Sequence, residues 1–253
     1  MSSNPKITDW KGKRVWLVGA SSGIGAAVAR ELAGRGARVA LSARSADKLA
    51  ALAIADALVL PCDATDVASL GVAREKLLAT WGGVDLVIYL AGDYVPMRAE
   101  NFDLAVAEKV VTVNFNAAMR LTATVLGDLK PGGGIAFVAS VAGYRGLPKA
   151  LAYGPGKAAL IHFAEVLHID LVPKGIGVWV INPGFVSTQL TAKNDFDMPA
   201  LQAPEQAAIA TVDGFKSANF EIHFPKRFTR IMKFFALLPY RWYFPLIRRS
   251  TGG

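Results

Sequence analysis

The chain has 253 residues, a length that suits one α/β domain with a sizeable core. It is 53% hydrophobic, yet no run of about 18 apolar residues occurs, which excludes a membrane-spanning helix. A single cysteine, Cys62, excludes an internal disulfide, and the three histidines show no ligand spacing, so no metal site is predicted. The N-terminus is polar and lacks the apolar segment of a signal peptide, so we expect a cytoplasmic protein.

The net charge of +8 is unevenly distributed. Residues 226–253 hold seven of the 28 Lys and Arg residues and none of the 20 acidic residues. The rest of the chain is nearly neutral, so its charge gives no reason to expect nucleic-acid binding.

Short apolar runs alternate with helical segments. Strands are predicted over 14–19, 38–42, 57–60, 84–90, 135–139, 177–181 and 220–224. Helices are predicted over 24–35, 46–53, 67–81, 102–128, 153–172 and 204–217. The strands are continuously apolar, which is typical of strands covered on both faces. We therefore predict a single α/β domain, a Rossmann-like doubly wound parallel sheet over 1–225, with a basic amphipathic C-terminal extension over 226–253.

The first predicted strand enters the first helix through the segment GASSGIG. Glycine lets the backbone approach a pyrophosphate closely, and the helix N-terminus offers free N–H groups to its charge. The alternative is a tight turn without a ligand. The predicted cofactor-binding residues of this loop are Gly19, Ser21, Ser22, Gly23, Ile24 and Gly25.

Arg44 follows the second strand, where dinucleotide folds often place an acid on the ribose hydroxyls. An arginine instead accommodates a 2′-phosphate, so NADP(H) is favoured over NAD(H). Asp63, after the third strand, is a candidate acceptor for the adenine amino group. The alternative for Arg44 is a solvated loop residue, and the alternative for Asp63 is a carboxylate that caps a helix or a turn.

Further motifs follow in order. Ala91 and Gly92 end the fourth strand, Asn114 lies in the next helix, Ser140 ends the fifth strand, and Tyr153 and Lys157 are four residues apart. The segment PGFVST follows the sixth strand. With the glycine loop, these motifs resemble the short-chain dehydrogenase/reductase enzymes over roughly residues 10–223.

The resemblance implies a role for each matching residue. Tyr153 is similar to the family's catalytic acid and base. Lys157 would lower its pKa and bind the nicotinamide ribose, Ser140 would polarise the substrate carbonyl, and Asn114 would hold a water in a proton relay. The residues it adds to the predicted cofactor site are Ala91, Gly92, Tyr153, Lys157, Pro183, Gly184, Val186 and Thr188.

Three positions depart from the family pattern. Val18 and Leu90 stand where the family usually has Thr and Asn, and we expect apolar packing to replace the lost polar bracing. Pro155 lies between Tyr153 and Lys157, where it would kink a helix that begins well upstream.

The C-terminal extension predicts an amphipathic element. Phe228, Ile231, Met232, Phe235 and Leu238 share one face at helical spacing, with basic residues opposite. The segment suggests peripheral contact with the inner face of a membrane through 226–249, and the alternative is a helix packed on protein. With the loop residues Met97, Phe196 and Met198, it favours an apolar, lipid-like substrate.

The sequence thus predicts an oxidoreductase that transfers a hydride between NADP(H) and a small-molecule carbonyl/alcohol substrate. Two alternatives stay open: a 3-oxoacyl thioester reductase, and a non-catalytic cofactor-binding scaffold or redox sensor. No nucleic acid is expected as a partner. The resemblance implies a homodimer or homotetramer that pairs through the helices around 102–128 and 153–172.

Overall fold

A computed structural model describes residues 3–251, and within that range seven parallel strands form one sheet. The strands are β1 (Arg14–Val18), β2 (Arg38–Ser42), β3 (Leu58–Val59), β4 (Leu86–Tyr89), β5 (Gly134–Val138), β6 (Gly177–Pro183) and β7 (Glu221–Phe224). The helices are α1 (Gly23–Gly34), α2 (Ala46–Ala50), α3 (Val67–Trp81), α4 (Leu104–Val111), α5 (Ala117–Val125), α6 (Tyr153–Leu171), α7 (Pro204–Gly214), α8 (Lys226–Leu237) and α9 (Tyr240–Thr251).

The sheet is covered on both faces, as its continuously apolar strands predict. Successive residues of β1 point to opposite sides, so Val15 and Leu17 join a core with α1 and α7. Trp16 and Val18 join a second core with α3, α5 and α6. These two layers confirm the predicted doubly wound architecture.

The strand order is β3-β2-β1-β4-β5-β6-β7, so the direction of winding reverses between β1 and β4. In open parallel sheets, ligands bind beyond the carboxyl ends of the strands at this switch point. The loops with the predicted site residues leave the sheet at this edge.

The helix predicted over 102–128 is interrupted. Residues Thr112–Asn116 form a π-helical segment between α4 and α5. Inside it, Asn114 Nδ2 donates to the carbonyl of Val110 at 2.8 Å and to that of Asp93 at 2.6 Å. A side chain that takes a helix carbonyl widens the local turn, and such bulges are frequent at functional sites.

Two departures from the family pattern are accommodated in the fold. Helix α6 begins at Tyr153, so Pro155 lies in its first turn, where the N–H lost to proline would have no intrahelical acceptor. Val18 is 1% exposed, and its carbonyl accepts the Leu90 and Ala91 N–H groups at 2.7 and 3.0 Å. Backbone hydrogen bonds and apolar packing therefore brace β1 against β4.

The C-terminal segment forms two helices separated at Leu238 and Pro239. Met232 of α8 and Tyr243 of α9 are buried against the body. Residues 252–253 of the predicted extension lie outside the described residues. Among the described helices, none is long and apolar enough to cross a bilayer.

Candidate active site

The loops after β1 and β4 meet at the switch point through backbone contacts. A Cβ on Gly19 would lie 2.3 Å from the Ala91 nitrogen. A Cβ on Gly92 would lie 3.2 Å from Asn114 Oδ1 and 3.7 Å from Lys157 Nζ. Glycine is therefore required sterically at Gly19, and Gly92 lies beside Asn114 and Lys157.

The glycine loop has the geometry of an anion-binding turn. Gly19 and Gly23 adopt φ of +99° and +52°, and a Cβ on Gly25 would lie 2.1 Å from the Gly19 oxygen. Ser22 precedes α1 in an extended conformation and makes no side-chain capping hydrogen bond. The first N–H groups of α1 are thus open to a ligand, and this cradle fits a dinucleotide pyrophosphate.

The loop after β6 completes this side of the site. The Thr188 methyl carbon lies 3.1 Å from the position of a Cβ on Gly23, so the two loops face each other. Thr191 Oγ1 donates to the Val186 carbonyl at 2.6 Å and accepts the Thr188 N–H at 2.9 Å, which fixes the turn. Pro183 ends β6, and Gly184 N donates to the Phe224 carbonyl at 2.7 Å.

Arg44 and Asp63 lie near each other at the carboxyl ends of β2 and β3. Arg44 is exposed, and its charge contributes to the low pKa of Asp63. The larger causes are hydrogen bonds from Thr65, whose N–H and hydroxyl donate to Asp63 Oδ1 at 2.8 and 2.7 Å. Asp63 therefore already serves as a turn-capping carboxylate, the alternative weighed for it.

Tyr153 is packed beside Ser140 and Tyr94. The rings of Tyr94 and Tyr153 meet edge to face with centroids 5.2 Å apart. Burial raises the pKa of Tyr153 to about 12, and a hydrogen bond with Ser140 opposes that shift only in part. Ser140 Oγ also accepts the Ala142 N–H at 3.1 Å, which orients the hydroxyl at the end of β5.

Lys157 is buried one turn after Tyr153. Its Nζ donates to the Val138 carbonyl at 2.9 Å and lies 5.7 Å from the centre of the Tyr153 ring. Burial lowers the pKa of Lys157 to about 7. Burial dominates the pKa of the phenol, Tyr94 adds to the rise, and the Ser140 hydrogen bond opposes it. The lowering of the Tyr153 pKa by Lys157, which the resemblance implies, stays a prediction.

Asn114 is fully buried beside these groups. Its Nδ2 is held by two carbonyls, whereas its Oδ1 receives no hydrogen bond from the residues that the structure describes. A buried acceptor without a donor is costly, so this oxygen fits a site that a donor enters. Asn114 Oδ1 and Lys157 Nζ both lie near the Cβ position of Gly92, and the proton relay that the resemblance implies stays a prediction.

Ser140 and Tyr153 open onto a cavity of about 630 Å³. Phe196 lines it, as predicted, but Met97 is buried in a separate cluster with Val110, and Met198 is not among the lining residues. Several of its apolar lining residues were not anticipated for this role: Tyr94, Phe185, Phe228, Ile231, Met232 and Phe235.

The inner face of α8 supplies much of that apolar wall. Phe228, Met232 and Phe235 turn inward, and a Cβ on Gly184 would lie 2.9 Å from Phe228 Cδ1. The predicted amphipathic stripe is therefore mainly a pocket wall, because the body offers it a matching apolar surface. The helical spacing of these apolar side chains predicted the stripe, but it could not show which surface the stripe would cover.

Polar contacts fasten the loop after Ser140 to the tail. Tyr144 and Lys233 both donate to the Glu221 carboxylate, which also accepts Asn182 Nδ2 at 2.7 Å. Burial alone would raise the pKa of Glu221, but these hydrogen bonds outweigh it and lower the pKa. This network joins the active-site loop to β6, β7 and α8.

Arg145 forms a second fastening. Its Nη1 donates to the carbonyls of Phe235 and Ala236 at 3.1 and 3.0 Å, and also to that of Leu238. Its guanidinium lies 4.6 and 4.1 Å from the ring centres of Tyr240 and Tyr243. One arginine thus caps α8 and anchors α9.

Comparison with known proteins shows the family of the chain. A family model described as short chain dehydrogenase matches residues 13–198, so the chain belongs to the short-chain dehydrogenase family. An uncharacterized oxidoreductase of Myxococcus xanthus is 34% identical over 83% of this chain and 86% of its own. The 3-oxoacyl-[acyl-carrier-protein] reductase FabG of Escherichia coli is 34% identical over 72% of this chain and 77% of its own.

A solved structure provides a comparison for the whole fold. A short chain dehydrogenase from Burkholderia cenocepacia, in complex with NADP, has a TM-score of 0.77 and 25% identity. The match covers 85% of this chain and 97% of that chain. The family assignment makes this chain an oxidoreductase of the nicotinamide-dependent kind.

Proposed function

We propose that the protein is an NADP(H)-dependent oxidoreductase that interconverts a carbonyl and an alcohol on an apolar small molecule. The observation that carries this proposal is the position of Ser140 and Tyr153. Both line a mainly apolar cavity at the edge of the sheet where the carboxyl ends of β5 and β6 lie.

The reaction follows from the groups at this wall. A bound nicotinamide supplies the hydride to the carbonyl carbon, or accepts it in the reverse direction. Ser140 hydrogen-bonds the carbonyl oxygen, and Tyr153 transfers its phenolic proton to that oxygen, so that the product is an alcohol. A pKa of about 12 keeps the phenol protonated at neutral pH, which suits the reductive direction.

Lys157 and Asn114 would restore the proton on Tyr153. The Lys157 pKa of about 7 lets the amine exchange a proton near neutrality. Asn114 Oδ1 and Lys157 Nζ both lie close to Gly92, so a donor between them would connect the two groups. The family resemblance assigns the nicotinamide ribose and a water to this position.

The cofactor preference rests on Arg44. The residues proposed to hold the dinucleotide are the glycine loop, Arg44, Ala91, Gly92, Pro183, Gly184, Val186 and Thr188. Arg44 is exposed at the end of β2, where its charge would meet a 2′-phosphate. The NADP complex of the Burkholderia cenocepacia protein supports this preference over NAD(H). Because Asp63 already caps a turn, we give it at most a secondary part.

A ketone series tests the proposed substrate class. Purified protein would be assayed for NADPH oxidation with methyl ketones of increasing chain length and with charged ketones of similar size. We expect kcat/KM to rise with chain length, since each buried methylene contributes about 0.8 kcal/mol. Equal activity on charged and apolar ketones would contradict an apolar pocket.

Reduction of a 3-oxoacyl thioester is the second candidate, and the resemblance to the Escherichia coli reductase favours it. The cavity is also lined by Arg98 and Lys149, which could meet a phosphate-bearing carrier. Activity only on carrier-linked substrates would select this reading. A non-catalytic scaffold would bind NADPH, but none of the ketones or thioesters in the panel would cause it to oxidise NADPH.

We also propose a homodimer or homotetramer, with no nucleic-acid partner. The support is a set of exposed apolar side chains on or just before α4 and on α6. Phe102, Leu104 and Ile169 are 53%, 61% and 70% exposed. Light scattering of the intact chain and of Ile169→Glu tests this assembly, and a monomeric intact chain would refute it. Peripheral membrane contact through 226–249, at the inner face of a membrane, is part of the same proposal.

A further inference from the structure

The two C-terminal helices keep an apolar outer face after their inner faces have packed. On α8, Ile231, Phe234 and Leu237 are 52%, 60% and 83% exposed. On α9, Trp242 and Phe244 are 57% and 52% exposed. We call these five side chains, together with the exposed cations of the same two helices, the outer tail surface. Exposed apolar groups at this density mark an interaction site.

The same helices are rich in exposed positive charge. No Asp or Glu occurs in residues 226–253. Lys233 is tied to Glu221, but the other cations of the two helices are exposed. They are Lys226, Arg227, Arg230, Arg241, Arg248 and Arg249. The partner must therefore combine negative charge with an apolar interior.

The same loop, at Arg145 and Gly146, holds the inner faces of both helices. Arg145 binds the C-terminal carbonyls of α8, and Tyr243 of α9 donates to the adjacent Gly146 carbonyl. Because their inner faces hold the same loop, the outer faces of both helices turn away from the body. On α8, Arg230 and Phe234 are one turn apart, so charged and apolar groups alternate on one face.

We propose that the outer tail surface docks on an anionic lipid surface, and that the apolar substrate enters the pocket from that surface. An anionic leaflet attracts the cations, while its interfacial region receives the tryptophan, phenylalanine and leucine side chains. A second copy of the chain would bring two clusters of cations together. An acidic carrier protein would satisfy the charge but leave the apolar groups without a partner of their kind.

The entry route rests on the proposed function and on the position of α8. Ile231 lines the cavity and is also 52% exposed on the outer tail surface. Met232 and Phe235 of the same helix also line the cavity. The cavity and the docking surface thus share one helix, and a lipid-soluble ketone would pass between them without crossing water.

Vesicle flotation tests docking without any turnover. The intact chain is mixed with vesicles of phosphatidylcholine alone, or of phosphatidylcholine with phosphatidylglycerol, at low and high salt. We expect flotation only with the anionic vesicles and its loss at high salt. An intact chain that does not float with anionic vesicles at low salt overturns the proposal.

A pair of matched variants locates the contact. Arg230→Glu with Phe234→Ser changes one cation and one apolar group a turn apart on α8. Val72→Ser with Lys76→Glu makes the same change on exposed positions of α3. We expect the α8 pair to lower the vesicle partition coefficient by about tenfold or more, and the α3 pair to leave it unchanged.

Equal binding by the α8 pair and the intact chain would overturn the assignment of the surface. Circular dichroism confirms that both pairs are folded, and the salt dependence of the intact chain tests docking without any substitution. Pull-down by an acyl carrier protein in place of vesicles would select the other macromolecule and reject the membrane.

The last arm separates docking from catalysis. For the intact chain, anionic vesicles should raise kcat/KM for a long-chain ketone but not for a short water-soluble one. Vesicles without effect on the long-chain ketone would overturn the entry route. Tyr153→Phe should float normally, so a failure of the proposed chemistry and a failure of docking give different results.

Discussion

The proposed active site has two ends that are built in different ways. At the cofactor end, the backbone sets the geometry, because Gly19, Gly23 and Gly25 are held in contacts or φ values that suit glycine. At the substrate end, long side chains such as Arg145 and Phe228 hold a wall that comes from the C-terminus. The first kind of construction depends on local backbone geometry, whereas the second depends on contacts between segments about ninety residues apart in the chain.

The largest expected effect falls where the two ends meet. Tyr153→Phe removes the phenolic proton but keeps the ring beside Tyr94, so we expect kcat to fall by about 10²–10⁴-fold. The NADPH dissociation constant should stay nearly unchanged. Steady-state kinetics and calorimetry on the same preparation check both quantities. A variant with undiminished kcat would remove Tyr153 from the reaction.

Substitution of one glycine tests the backbone construction of the cofactor end. In Gly25→Ala, the new Cβ would lie 2.1 Å from the Gly19 oxygen, so the loop must shift. We expect NADPH affinity to fall at least about tenfold and the free energy of unfolding to fall by about 1–3 kcal/mol.

Gly34→Ala is the matched control at the other end of α1. No neighbouring atom lies within 4 Å of its Cβ position, and alanine favours helix by up to about 1 kcal/mol. Denaturant titration compares the two variants. Equal stability and equal NADPH affinity would contradict the steric account of the loop.

The side-chain construction of the substrate end can be broken separately. Arg145→Ala removes the hydrogen bonds to α8 carbonyls and the contacts with Tyr240 and Tyr243. We expect the KM for an apolar ketone to rise about tenfold and unfolding to become easier by about 1–3 kcal/mol. Calorimetry should show unchanged NADPH binding.

Arg30→Ala, at an exposed position on α1, is the control for removal of an arginine. It should leave KM and stability close to those of the intact chain. If Arg145→Ala behaves like this control, the tail is held by something other than the arginine.

The pH dependence of stability should differ in slope. The pKa of Lys157 is lowered from 10.5 to about 7 in the folded protein, so between these values the unfolded chain holds a proton that the folded protein has released. The free energy of unfolding should therefore gain from this group as pH rises above about 7. Lys157→Met should lower the slope of the free energy of unfolding against pH by the equivalent of about one proton. Lys48→Met, on the exposed surface, should leave that slope unchanged. Denaturant titrations between pH 7 and 10 stay below the ordinary pKa of tyrosine.

The sequence predicted the strands, helices and glycine turn around the proposed cofactor end because these depend on local rules. Glycines between a strand and a helix, and apolar runs of strand length, need no distant partner to be interpreted. The sheet, its layers and the position of Tyr153 at the start of α6 agree with those rules.

The rest could not be predicted because it depends on long-range contacts. Nothing near Asn114 in the sequence shows that its side chain takes the Val110 carbonyl and widens the helix. The spacing of Phe228, Met232 and Phe235 predicted an apolar stripe but could not decide between a membrane and protein as its partner. The role of Arg145 could not be predicted, because its partners lie about ninety residues further along the chain.

Calorimetric titration with NADPH and NADH, on the intact chain and on Arg44→Ala, tests the central claim most directly. We expect the intact chain to prefer NADPH clearly and the variant to lose about 10–100-fold in NADPH affinity, with NADH binding little changed. No binding of either dinucleotide by the intact chain would contradict the assignment of the glycine loop and, with it, the proposed reaction.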